Sequence, residues 1–229
     1  MKIRKHSAFT LIELLVVISI IGVLATLGFG AFKSAQKAAK LTASLSNVKQ
    51  IGLSLKMFSN DNNGSYPVYI DPEVPTAVLT NSNETFESLM PRYLTDKKLF
   101  GNQASQYCKG PVAASSGAAN QYKVLNNEND WCYVTNLSDT SDSRWPLIMT
   151  ALAPGTTNYL KDSGQKGGVW DGTDAIILSA DGSATKAATL KSTTPDAIVG
   201  RPDQPTVNRF VADPTTNWIS SSTILYPKP

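Results

Sequence analysis

The sequence predicts an α+β protein, a long N-terminal helix packed on an antiparallel β-sheet head. Three observations lead there. Residues 14–32 form an apolar run of membrane-spanning length, and no proline interrupts residues 9–66. Beyond the run, apolar residues continue at helical spacing on one face. From residue 132 onward, short apolar segments alternate with turn signals, the mark of antiparallel strands.

Residues 1–8 form a short basic leader carrying Lys2, Arg4, Lys5 and His6, the chain's one histidine. The apolar stretch that follows exceeds the roughly 7–15 residues of a secretory signal core and approaches the roughly 20 that cross a bilayer as a helix. Ala25, Gly28 and Gly30 imitate a late signal cleavage site, so a cleaved secretory signal remains the rival reading. Charge alone does not orient the span, because Lys33, Lys37 and Lys40 balance the leader's three basic residues.

The span reads on into an amphipathic helix over residues 33–60. Ala31, Ala35 and Ala38, then Leu41, Leu45, Val48, Leu55 and Phe58, recur mostly at steps of three, four or seven. Gly22, Gly28 and Gly30 fit either close helix approach or ordinary glycine tolerance in a membrane helix. Asn60-Asp61-Asn62-Asn63-Gly64-Ser65-Tyr66-Pro67 should stop the helix, because Asn and Gly accept left-handed conformations and Pro67 cannot continue the ladder. The head then occupies residues 61–229. A short helix is predicted over 83–93 with Asn83 as its cap, and strands over 132–137, 147–152, 175–179 and, more weakly, 184–190. Asp181-Gly182 marks a hairpin between the last two. From about residue 192 a Pro/Ser/Thr-rich tail is expected to lie irregularly over the head, ending in an edge strand near 223–226.

Formal charge is +3, from 21 basic and 18 acidic residues. Removing Lys2, Arg4 and Lys5 leaves 18 against 18. Beyond Lys56 the head carries 13 basic and 17 acidic residues, so no nucleic-acid partner is expected. Cys108 and Cys132 fit either a disulfide closed in an oxidising compartment or two reduced, core-filling side chains. Asp171, Asp174 and Asp181 are the one acidic constellation; their oxygens suit calcium, and they equally suit a hairpin turn with solvated loops. Gly164-Gln165-Lys166-Gly167-Gly168 lacks the Lys-Ser/Thr ending of a phosphate loop.

Ala8-Phe9-Thr10-Leu11-Ile12-Glu13-Leu14, set between a basic leader and an apolar run, resembles the processing site of type IV prepilins and type II secretion pseudopilins. The resemblance implies a pilin-like fold, cleavage between Ala8 and Phe9 by a prepilin peptidase, and N-methylation of Phe9. It implies that Glu13 is the assembly carboxylate, which pairs with the amino terminus of a neighbouring subunit. The family usually has Gly where this chain has Ala8, which implies slower processing. Asn63-Gly64-Ser65-Tyr66-Pro67 also resembles the helix exit of major pseudopilins, a group known for a calcium site in the head.

Those likenesses imply a non-enzymatic filament subunit. It would rest in membrane lipid of the inner membrane with its leader cytoplasmic and its head outside, then join related subunits through an assembly platform. A type IV pilus subunit and a singly anchored ligand-binding protein are the alternatives. With His6 removed, no histidine is left for Ser-His-Asp or Cys-His catalysis.

Overall fold

The computed structural model describes residues 9–68, 79–108, 121–191, 197–211 and 224–228. Two compact units divide the chain, Met1–Ala39 and Lys40–Pro229. Helix α1 (Leu11–Asp61) supplies residues to both, and it is the helix expected from the apolar run and its amphipathic continuation.

Between Leu14 and Phe32, α1 carries no charged side chain, and its described residues there are exposed. Leu11, Ile12, Leu15, Ile18, Ile21 and Leu24 are all exposed, as are Phe29 and Phe32. A helix of this kind, long and apolar enough to cross a membrane, must be covered by lipid or by other helices.

The second unit is built on a sheet in the order β4-β3-β2-β1-β7, with all neighbours antiparallel. Its strands are β1 (Trp131–Val134), β2 (Pro146–Thr150), β3 (Asp174–Ser179), β4 (Ala184–Ala188) and β7 (Ile224–Leu225). A separate two-stranded ribbon pairs β5 (Leu190–Lys191) with β6 (Ala197–Ile198). Strands β1, β2 and β3 are buried along their whole length, so both faces of the central sheet are covered.

One cover is the α1 face made by Leu41, Ser44, Val48, Ile51, Leu55 and Ser59. Gly52 lets it come close: a Cβ there would meet Leu178 Cδ2 of β3 at 2.7 Å. Strand β4 forms an outer edge with a mostly exposed surface, where Lys186 bonds Asp174 of β3 at 3.1 Å. A charged edge of this kind discourages pairing with a foreign strand.

Local signals act as expected at both turns. Asn63 (φ 54°) and Gly64 (φ 80°) take the left-handed conformation just beyond α1, and the Gly64 N–H donates to the Ser59 carbonyl at 2.8 Å. In the β3–β4 loop only Gly182 is left-handed (φ 86°). That geometry, with Ser179 N–H donating to the Ser183 carbonyl at 2.9 Å, belongs to a longer hairpin rather than a two-residue turn.

Helix α2 (Ser82–Glu87) corrects the expectation for residues 83–93. Its cap is Asn81, whose side chain accepts from the Glu84 N–H at 3.2 Å. Asn83 is instead buried, donating to the Val124 and Leu125 carbonyls and accepting from Asn129. Phe86 stacks on Phe100 with centroids 4.9 Å apart and meets Tyr133 of β1 edge-on.

Residues 224–228 form a strap that is tied at almost every position. Strand β7 pairs with β1 through Tyr133↔Leu225 and Val134↔Ile224. Ser82 N–H donates to the Tyr226 carbonyl at 3.0 Å, Lys166 Nζ to the Pro227 carbonyl at 2.6 Å, and Lys228 N–H to Asn83 Oδ1 at 3.1 Å. The expected edge strand near 223–226 is therefore present, while most of the tail that leads into it lies outside the described residues.

Candidate functional site

Helix α1 begins with a reciprocal cap. The Thr10 N–H and hydroxyl both donate to Glu13 Oε2, at 2.9 and 2.7 Å, and the Glu13 N–H points back at Thr10 Oγ1 at 3.3 Å. This is a capping box: Thr10 and Glu13 satisfy backbone donors that the first helical turn leaves unpaired. The negative carboxylate also sits at the positive end of the helix dipole. Both bonds use Oε2, and a carboxylate has further acceptor capacity on Oε1.

Glu13 therefore has a local role beside the assembly role suggested by its position. The sequence carried that signal as Thr-x-x-Glu ahead of an apolar run, and Thr10 is the functional residue that the family resemblance alone passed over. Phe9 is exposed at 72%, directly before the cap, and Ala8 lies outside the described residues. Replacing Thr10 by alanine is expected to cost about 1 kcal/mol of helix-start stability. Amide exchange of residues 11–14 in the membrane-embedded protein would show that loss as faster exchange confined to the first turn.

The head carries a second concentration of polar chemistry. Asp130 is 1% exposed, its Oδ2 has no hydrogen-bond partner, and burial pushes its carboxyl up to about 8. Lys166 lies close enough to favour the ionised carboxylate, but burial outweighs it. The Lys166 ammonium bonds the Pro227 carbonyl and sits 5.1 Å from the centre of the Tyr107 ring. Burial lowers the Lys166 pKa, against the opposing influence of Cys132, Asp130 and Cys108.

Both cysteines are fully buried. The Cys132 Sγ accepts the Leu152 N–H at 3.4 Å, and burial pushes its thiol up to about 12. A thiol held so high is a poor nucleophile at neutral pH.

The three aspartates weighed for calcium are not brought together. Asp174 bonds Lys186 and accepts the Thr173 hydroxyl at 2.9 Å. Asp181 accepts the Ser183 N–H at 2.7 Å within the hairpin loop. Asp171 is in a left-handed turn (φ 54°). Among the described residues, no three His, Cys, Asp or Glu side chains are gathered in a way that could hold a metal ion. Of the four tryptophans, Trp131 and Trp170 are buried in the core and Trp145 packs against it; Trp218 lies outside the described residues.

The N-terminal segment agrees with known proteins. Residues 3–29 match the family model of the prokaryotic N-terminal methylation motif. The chain is 40% identical over 62 residues to Type II secretion system core protein G of Pseudomonas aeruginosa, a match covering 27% of this chain and 44% of that protein. The chain thus spans less than half the length of the curated relative it matches. No solved structure matches it significantly. The N-terminal segment therefore carries a prokaryotic N-terminal methylation motif, in a chain that shares sequence with a type II secretion core protein.

Proposed function

We propose that this chain is a structural subunit of a type II secretion pseudopilus or a closely related filament. Its leader would be cut between Ala8 and Phe9 by a prepilin peptidase, and Phe9 would be N-methylated. The observation that carries this reading is the methylation motif over residues 3–29, leading directly into a span of exposed apolar residues. In the inner membrane, lipid covers that span and the Thr10 cap holds the Glu13 carboxylate. In the filament, related subunits replace the lipid, and Glu13 meets the Phe9 amine of a neighbour.

Such a pairing is strong where water is excluded and costly to leave unmade, so it selects one axial register for the incoming subunit. Cys108 and Cys132, both buried and both thiols in the structure, would close a disulfide outside the cytoplasm. Thiol alkylation of the denatured protein, with and without reductant, would report that bond as a mass difference.

The deciding measurement for the main proposal is the N-terminal mass of the membrane-extracted protein. N-methylated Phe9 as first residue supports it; an intact Met1 overturns it.

A further inference from the structure

A buried ammonium and a buried carboxyl share one wall of the head, the chain just beyond β2. The Ala151 N–H donates to the Asp130 carbonyl at 2.9 Å, and the Leu152 N–H to Cys132 Sγ at 3.4 Å. Gly167 lies against the same stretch, where a Cβ would run into the Ala153 nitrogen. Lys166 precedes it in the chain, and its charge acts on the Asp130 carboxyl. Yet the Lys166 ammonium bonds the Pro227 carbonyl at 2.6 Å, while Asp130 Oδ2 has no hydrogen-bond partner among the described residues.

That arrangement depends on a proton. A protonated carboxyl offers an ammonium no charge, so the carbonyl of Pro227 is enough to hold it. A carboxylate in the same low-dielectric surroundings attracts the ammonium far more strongly than a carbonyl does. The flexible four-carbon stem of lysine turns its head group without moving the backbone. The end of the strap depends on which acceptor wins. The Tyr226 carbonyl takes the Ser82 N–H, and the Lys228 N–H donates to Asn83 Oδ1 at 3.1 Å. Among these ties at residues 226–228, the bond from Lys166 is the one that carries a full charge.

We propose that Lys166 is an exchangeable latch on the C-terminal strap. It holds the Pro227 carbonyl while Asp130 keeps its proton and turns to Asp130 when that proton leaves, loosening residues 226–228. Burial holds the Asp130 carboxyl up at about 8, so the latch is shut in acidic and neutral surroundings and opens in mildly alkaline ones. The other titratable groups around the pair are Tyr107 and Cys108 before β1, Cys132 on β1, Tyr159 after β2 and Tyr226 on the strap. Burial raises the three phenols and pushes the Cys132 thiol up to about 12, so these four stay neutral while Asp130 titrates. Arg209, which acts on Tyr159, stays charged throughout. The inference concerns the head and goes beyond the proposed function, since it requires neither cleavage nor filament growth.

The test places a nitroxide on the exposed end of the strap, through K228C in the full chain extracted in detergent. Cys108 and Cys132 are buried and are kept in one oxidation state in every sample. Label mobility is read by electron spin resonance from pH 6 to pH 9. The ratio of loose to held label should rise about tenfold with a midpoint near pH 8, as expected for losing one charged hydrogen bond. Adding D130N should keep the label held at every pH, and adding K166Q should leave it loose at every pH.

A spectrum unchanged between pH 6 and pH 9 would overturn the proposal. So would loosening that persists in D130N, because Lys166 would then be losing its own proton rather than changing partner. A K166Q strap held as tightly as the native one at pH 6 would show that the latch holds nothing. Loss of the head's circular dichroism in step with the loosening would make the change global, and would equally overturn it. If K166Q fails to fold, the comparison of native protein with D130N decides the matter.

Discussion

Glu13→Ala is expected to leave the protein inserted in the membrane and to stop filament growth. On the proposed pairing, removing the carboxylate would unpair a neighbour's Phe9 amine in the dry filament core, and the cost of such a loss would reduce subunit addition on the order of a hundredfold. The geometry at the helix start makes a sharper version available. Glu13→Gln keeps an acceptor for the Thr10 N–H and hydroxyl, which now bond Oε2 at 2.9 and 2.7 Å, because glutamine also completes a capping box. It removes only the charge.

Filament yield in sheared fractions should therefore collapse in both variants, while the first turn stays protected from amide exchange in Glu13→Gln alone. Normal yield from Glu13→Gln would mean that the cap, and not the ion pair, is what assembly needs.

Asp130→Asn is expected to stabilise the head and to flatten its response to pH. The folded carboxyl, pushed up to about 8 by burial, keeps its proton where the unfolded one, with an ordinary pKa near 3.9, has lost it. Between about pH 4 and pH 8 the unfolded state therefore binds fewer protons, and stability falls as pH rises, by about 1.4 kcal/mol per pH unit at most. Below pH 4 both states are protonated and the cost is absent; above pH 8 it is constant.

Asparagine keeps the shape and carries no ionisation, so the variant should gain several kcal/mol at pH 8 and nothing near pH 3. Denaturant unfolding of both proteins across that range would show converging curves at the acid end. Parallel curves would locate the burden of this site elsewhere.

Much of the fold was legible because its signals are local. The end of α1 was written in Asn63 and Gly64, which accept left-handed backbone. Strands β1 to β4 were recoverable because apolar runs bounded by turn residues have few other outcomes, and the edge position of β7 followed from its shortness. The cap of α2 was misplaced for a physical reason. Asn81 and Asn83 are equally good capping residues in isolation, and only the buried network of Val124, Leu125 and Asn129 draws Asn83 inward.

At the candidate site the family resemblance pointed to Glu13, while Thr10 went unread although the Thr-x-x-Glu spacing of a capping box was there. The Asp130 and Lys166 concentration was not legible. It depends on loops 36 residues apart in sequence, and composition does not show which carboxylate ends up without a partner. The local partners of the aspartates weighed for calcium were no more legible: Asp174 bonds Lys186 and Asp181 accepts the Ser183 N–H.

The tied strap at residues 224–228 has a consequence for the order of events during folding. Strand β1 is complete well before β7 is reached in the chain, but its outer edge waits for Leu225 and Ile224 to reach Tyr133 and Val134. Contacts so distant in sequence form slowly, because a long loop must close before any bond rewards it. As the chain is made, the head would thus stay unlocked, with Lys166 and Asn83 lacking their strap partners, until residues 224–228 are available to dock. A chain stalled before that point would present an open strand edge to any protease or chaperone that met it. Emergence of the strap is the moment at which the head becomes fit to be built into anything.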